Sequence, residues 1–443
     1  LAYDTTAVRQ NGDINATRIE LNTHGTLNSG SWNFKVYNYN SERGVPGAIV
    51  NNVWRRGERI WDTNSFAQGR YTGFFGKFTT LNNIKYAFYR THYVNNDDKQ
   101  VKIDNLYKQK EIYFSSANEY EVTNFWSVSV SYDFMWNTLD ADVYGFVKPD
   151  RISHFLSAAT ALNFNRIKIQ ASALGTFIHD KIRGQKAPAD KHVFSPAIFM
   201  NGYPLRNKDF SIRVFYKKSF RMPTFNDLYY ADMGNSQLSP ERVTQYNLGL
   251  LYDHNSTSLI SAARISADIY YNKVKDKIVA YPKGQQFRWT MLNLGLVDIR
   301  GIDVTGLLTL NPYRDLYLTV RAQYTFQRAI DITNPSDNYY RDQIPYIPRH
   351  SGAAVVNAQW KGWGLNYSWI YVGERYNQQE NIRYNYTQPW YTSDVSLSKD
   401  FKLGRVNLRG LIEINNLLSQ DYDVILNYPM PKRNYRFTLT VEI

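Results

Sequence analysis

Hydrophobic and polar residues alternate with a period of two along most of this chain. In the closing segment Tyr435, Phe437, Leu439, Val441 and Ile443 point one way, while Arg436, Thr438, Thr440 and Glu442 point the other. A strand places successive side chains on opposite faces, so such a segment has one apolar and one wet face. Trp126, Val128, Val130, Tyr132 and Phe134 alternate in the same way with Ser127, Ser129, Ser131 and Asp133. So do Ile167 to Ala173, Ile265 to Tyr271 and Leu316 to Tyr324. Each stretch runs for about 9–13 residues, enough for a tilted strand to cross a bilayer. No helical periodicity of similar length competes with them. The chain reads as all-β.

The connections sharpen this. Short turns are expected near Gly25 to Gly30, Thr80 to Asn82, Asn137 to Thr138, Phe164, Pro204 to Lys208, Asp253 to Ser256, Pro312 to Arg314, Lys361 to Gly362 and Phe401 to Gly404. Between them fall long polar loops near 42–65, 96–119, 182–190, 221–241, 282–285, 330–348, 376–387 and 418–431, with a shorter one at Pro149. Tight turns on one side and long loops on the other define an antiparallel transmembrane β-barrel. No constant repeat period marks a propeller or solenoid. The pattern gives about 19 strands, from 14–25 to 432–443, including 120–136 and 139–148 as the fifth and sixth. Segment 286–311 is the least regular, because Gly295 and Gly301 invite a bulge or break. Bacterial barrels have even strand numbers, so a last strand running inward implies that an odd number of strands precedes 14–25.

Composition removes other classes. Aromatics make up 16% of the chain, with 36 Tyr, 23 Phe and 10 Trp, which suits two interfacial girdles. No apolar run approaches the ~18–20 residues of a membrane helix. A mean hydropathy of −0.50 does not argue against a membrane, since only alternate barrel residues face lipid. With no Cys there are no disulfides, thiolate zinc sites or Cys nucleophiles. The formal charge of +13 comes from scattered Lys and Arg without a recognition helix or stacking motif. That excludes nucleic acid in favour of outer-membrane lipids, lipopolysaccharide phosphates or an anionic ligand. The seven His are dispersed, and no metal, cofactor or catalytic constellation stands out.

From Ser219 to Glu241 the chain resembles the signature of TonB-dependent outer-membrane receptors. Phe220, Arg221 and Pro223 match the first box, with Met222 where Ala is usual. Gly234, Asn235, Leu238, Pro240 and Glu241 match the second, with Ser236 where Pro is common. Arg43 to Gly47, Tyr346 to His350, Asn415 to Leu417 and Tyr428 to Pro431 are similar to Bacteroidetes members of the cobalamin, haem and siderophore receptor group. The resemblance implies a 22-stranded barrel, a plug domain, a TonB complex that drives import, and capture of ligand by outer loops. Besides a transport receptor, the lesser alternatives are a purely structural or adhesive barrel and a barrel enzyme, which would need Ser/His or Asp/His pairs at the outer rim. Residues 1–443 then correspond to the C-terminal barrel portion, with the plug and three strands expected upstream. A surface lipoprotein is a further partner for this group. The receptor boxes themselves are expected to be architectural, with Pro223 fixing the backbone and Arg221 pairing with Glu241.

Large flat side chains cover a macrocycle at low entropic cost, so the outer-loop aromatics are the expected ligand contacts. They are Trp54, Tyr229, Tyr230, Tyr339, Tyr340, Tyr376, Tyr384 and Tyr386, joined by Arg55 and Arg56 for an acidic group. Cobalamin or a related corrinoid is the first ligand the resemblance implies, with a ferric siderophore or haem as alternatives. Haem is disfavoured because no His lies between Arg221 and Leu238.

Overall fold

The computed structural model describes residues 8–49, 57–96, 102–184, 188–230, 233–283 and 288–442. The chain divides into two compact units. The first is Leu1–Phe164, Lys168–Ile198 and Thr224–Gly234; the second is Asn165–Ile167, Phe199–Pro223 and Asn235–Ile443.

Strands β1 (Ile14–Leu27), β2 (Gly30–Val45), β3 (Glu58–Phe75), β4 (Phe78–Asn95), β5 (Ile103–Thr123), β6 (Trp126–Ala141), β7 (Pro149–Asn163) and β8 (Ile167–Ile182) follow one another in the first unit. Each pairs antiparallel with the next. This unit also holds most of β9 (Lys191–Gly202) and the only α-helix among the described residues, α1 (Phe225–Tyr229).

In the second unit the same meander runs through β10 (Phe210–Arg221), β11 (Glu241–Asn255), β12 (Ile260–Lys283), β13 (Arg288–Tyr313), β14 (Leu316–Asp331), β15 (His350–Trp360) and β16 (Trp363–Val372). A short ribbon of β17 (Arg375–Tyr376) and β18 (Tyr386–Thr387) interrupts it. It resumes with β19 (Trp390–Leu403), β20 (Val406–Asn415) and β21 (Asn434–Glu442). The chain is thus all-β and antiparallel, with 19 long strands.

Turn chemistry explains the tight ends. Trp360 pairs with Trp363 around Lys361 (φ 47°) and Gly362 (φ 77°). Two consecutive positive φ values match the twist of a two-residue hairpin, which Gly tolerates without strain. Most connections alternate between short and long as expected, but 203–209 between β9 and β10, expected as a tight turn, is as long as 142–148 between β6 and β7.

The strand count agrees with the sequence reading, but through two cancelling errors. Residues 103–119, expected in a loop, form most of β5, and the expected turns at Thr80 to Asn82 and Asn137 to Thr138 lie inside β4 and β6. On the outward face of β5 only Ile112 and Phe114 are large and apolar in mid-strand, while Lys108, Lys110, Ser116 and Asn118 share that face. The alternation is therefore erased. The expected strand 139–148 is mostly the β6–β7 connection, where Gly145 has φ 72° and Val143 and Phe146 are spent on packing α1.

Wall and interior separate by parity. Across β6, β7 and β8 the outward rows read Trp126–Leu162–Ile169, Val130–Ala158–Ala173, Phe134–His154–Phe177 and Trp136–Ile152–His179. Val130 and Leu156 are 54% and 51% exposed, the state of side chains meant for lipid. From Trp126 to Trp136 the strand rises about 33 Å, or about 25 Å after tilt, the height of a lipid-facing band. The opposite face carries Lys85 with Glu111 at 3.0 Å and Arg151 with Asp180 at 2.7 Å. In β21 Phe437 and Leu439 are 69% and 58% exposed.

Candidate functional site

The segment after β10 folds back as a compact element in the first unit. Thr224 caps α1: its hydroxyl accepts from the Asp227 amide at 3.2 Å, and Asp227 accepts from the Thr224 amide at 2.9 Å. This reciprocal capping box satisfies two otherwise orphaned donors of a helix only five residues long. Gly234 closes the segment by donating to the Tyr230 carbonyl at 2.7 Å. A Cβ at Gly234 would stand 2.7 Å from the backbone N and O of Tyr230, so the position requires glycine.

Phe225 is buried against Tyr107 and Leu139, with Val143, Phe146, Tyr229 and Tyr230 around them. The Tyr230 and Tyr107 rings stack at 4.2 Å. The Arg151 guanidinium lies 5.1 Å from the Phe225 ring centre, and its Nε and Nη2 donate to Asp180 at 2.7 and 2.9 Å. Arg151 and Asp180 are directly opposed in the ladder and almost wholly buried. Burial pushes the Tyr229 phenol above the ordinary tyrosine range. It does the same for Tyr230, against a hydrogen bond to Thr91 that pulls the other way. Both tyrosines, expected as ligand contacts, are placed in this packing cluster.

The remaining signature residues lie in the second unit. Arg221 and Glu241 form the last rung of the β10–β11 ladder, and Arg221 Nη1 stands 4.0 Å from Glu241. Glu241 is buried and accepts from the Ile278 amide at 3.0 Å. Asn235 donates to the Met291 carbonyl at 2.9 Å, and Ser239 exchanges hydrogen bonds with Asn293 at 2.8 and 3.1 Å. Leu238 is buried, Pro223 is fully buried, and Phe220 and Pro240 are half-buried. This box is a clamp on the outer ends of β12 and β13.

Three outer connections of the second unit, 332–349, 373–389 and 416–433, are tied together. Gln343, 1% exposed, accepts from the Ala329 amide at 3.0 Å and donates to the Gln327 and Ile347 carbonyls at 3.2 Å. Its own amide donates to Asn381 Oδ1 at 2.9 Å, while Asn381 donates back to the Gln343 carbonyl at 2.9 Å. Buried Arg375 donates to the carbonyls of Asp423 and Val424 at 2.7 and 3.1 Å. Burial drives its pKa down, against the opposing pull of Tyr346 and Asp423. Tyr376 and Tyr386 face each other across the β17–β18 ribbon, ring centres 6.1 Å apart. Tyr384 is 86% exposed; Tyr339 and Tyr340 are half-buried, and the Arg341 guanidinium lies 5.9 Å from the Tyr340 ring. Trp54, Arg55 and Arg56 lie outside the described residues.

The tie residues Gln343, Asn381 and Arg375 carry no sequence signal of their role, because uncharged amides in a polar loop look like solvated residues. Tyr107 and the Arg151–Asp180 pair were hidden by strand boundaries. No group of three or more His, Cys, Asp or Glu that could hold a metal occurs among the described residues. The arrangement offers phenols and guanidinium groups on a hydrogen-bonded outer surface.

Antiparallel strands with one apolar face, tight turns at one end and tied loops at the other are the pattern of an outer-membrane barrel protein. The chain belongs to the family described as TonB dependent receptor-like, beta-barrel, which matches residues 2–417. It is 27% identical over 227 residues to the vitamin B12 transporter BtuB of Photobacterium profundum, across 50% of this chain and 33% of that protein. Among solved structures it is similar to the copper transporter OprC, with TM-score 0.77 and 12% identity over 96% of this chain and 71% of that one. The ferric citrate transporter FecA matches with TM-score 0.75 and 13% identity over 98% and 70%. The chain thus spans about a third of the curated relative that it matches over the greater length. It resides in the outer membrane.

Proposed function

We propose that this chain is the barrel portion of an uptake receptor that captures a chelated nutrient on its outer loops. Import would be energised by a TonB complex acting on a plug domain, and a surface lipoprotein could hand over or retain ligand. The role is transport, with no catalytic step. A metal chelate of the ferric-siderophore kind is the better-supported ligand, ahead of the cobalamin first expected from the sequence.

The observation that carries this is the outer surface made by the tied loops 332–349 and 373–389. It presents Arg341 and Arg383, both exposed, beside Tyr339, Tyr340, Tyr384 and Tyr386. Guanidinium groups form strong charge-assisted bonds with carboxylate or catecholate oxygens, and phenols cover flat ligand surface. A nearly neutral corrinoid gains less from this pairing than an anionic ferric chelate does. Solved structures sharing the fold are named for ferric and copper cargo, at identities that carry the fold alone. The likeness to a vitamin B12 transporter supports cobalamin as the second reading.

Calorimetry on the full-length receptor tests this. Ferric citrate, a ferric catecholate and a ferric hydroxamate are compared with cyanocobalamin. One ferric chelate should bind in the nanomolar range, and the double change Arg341→Gln, Arg383→Gln should weaken it about tenfold, or ~1.4 kcal/mol. Binding of cyanocobalamin alone would transfer the function to corrinoid uptake.

A further inference from the structure

We propose that the outer wall over β5–β8 carries a binding site for the phosphate groups of an outer-leaflet lipid. The site follows from the order of the outward rows. Above the apolar rows come the aromatic ones, Ile84–Phe114–Phe134–His154–Phe177 and then Tyr86–Ile112–Trp136–Ile152–His179. The next row outward is Lys110–Thr138–Asp150–Lys181, and beyond it Lys108 stands opposite Asp140 in the ladder without an ion pair. Aromatic residues mark the level of the membrane interface, so the first row past them stands among the lipid headgroups.

At that level lies an open cleft of about 350 Å³ lined by Thr138, Asp140, Lys148, Asp150, Lys181 and Arg183. Lys148 is committed to Asp140 at 2.9 Å. Lys181 faces Asp150 in the ladder, yet the two are not within ion-pair distance, and no described carboxylate pairs with Arg183. Lys108 and Lys110, both exposed, extend the same face without a carboxylate partner among the described residues. Four uncommitted cations beside a concave surface on a lipid-facing wall are complementary to phosphate. Basic pockets at this depth recognise anionic headgroups by charge and by hydrogen bonds from Lys and Arg. A lipid fits better than a soluble anion because the cleft is continuous with the aromatic and apolar rows beneath it, where acyl chains lie.

The test uses the full-length receptor in mild detergent, with binding followed by native mass spectrometry. The probes are bisphosphorylated lipid A, the same lipid dephosphorylated, and inorganic phosphate. Wild type should retain the bisphosphorylated lipid at least tenfold better than the dephosphorylated one. Lys110→Gln, Lys181→Gln and Arg183→Gln combined should abolish that preference. Arg166→Gln, in a turn at the opposite end, should leave it unchanged. Equal retention by the triple variant, no preference in the wild type, or an equal loss with Arg166→Gln would overturn the site. Inorganic phosphate competing as well as the lipid would overturn the lipid assignment. Heat-modifiable electrophoretic mobility checks folding, and single changes at Lys181 and Arg183 serve if the triple variant fails to fold.

Discussion

Arg151 and Asp180 face each other on neighbouring strands and meet through two hydrogen bonds, 2.7 and 2.9 Å, with both residues almost wholly buried. The same guanidinium lies against Phe225, so one residue links the wall of the first unit to α1. Asp180→Ala leaves a buried cation without its partner, which costs about 3–5 kcal/mol. Denaturant unfolding should show that loss, and hydrogen exchange should show 224–234 opening first. Unchanged protection of that segment would mean that the pair does not hold α1.

Alkaline pH should loosen the same element. Burial raises the Tyr230 phenol in the folded chain above its unfolded value of about 10. The folded state therefore favours the protonated form. The associated stability is complete below the unfolded pKa and is lost as pH rises from there through the folded value. Melting temperatures measured from pH 8 to 11 should fall further in wild type than in Tyr230→Phe, which keeps the ring stacked on Tyr107. Parallel curves for the two proteins would refute the role of this hydroxyl.

The last long strand offers a test of the membrane face. Leu439 is exposed and sits mid-strand in β21, so Leu439→Arg should cost roughly 2–4 kcal/mol near the bilayer midplane. Thr438→Arg, pointing to the other face, should cost far less. Refolding titrations into phospholipid vesicles read the difference, and equal costs would reverse the assigned faces.

Strands such as β6 were legible because every outward position from Trp126 to Trp136 is apolar or aromatic. β5 was not, since Lys108 and Lys110 above Ile112 and Phe114, and Ser116 and Asn118 below, break its outward face before Tyr120. The lower polar groups are satisfied locally: Thr80 donates to Asn118 at 2.8 Å and Asn82 to Thr80 at 2.9 Å. The receptor boxes stood out in sequence because a capping box, a required Gly234 and a buried Glu241 each demand one residue type. Tyr230 shows the limit of composition. An aromatic residue in an outer connection can equally serve packing, and only its 4.2 Å stack on Tyr107 shows the packing partner. The Gln343–Asn381 tie was illegible because amide pairing leaves no periodic trace.

That tie decides how the cell surface looks to an antibody. Residues from 332–349 and 373–389 are held side by side, and Tyr384 projects from them almost fully uncovered. An antiserum raised against the folded protein will read the two stretches as one discontinuous epitope. Synthetic peptides copied from either stretch alone will compete poorly for it, and a vaccine antigen or display scaffold built on this surface has to keep the whole barrel beneath it.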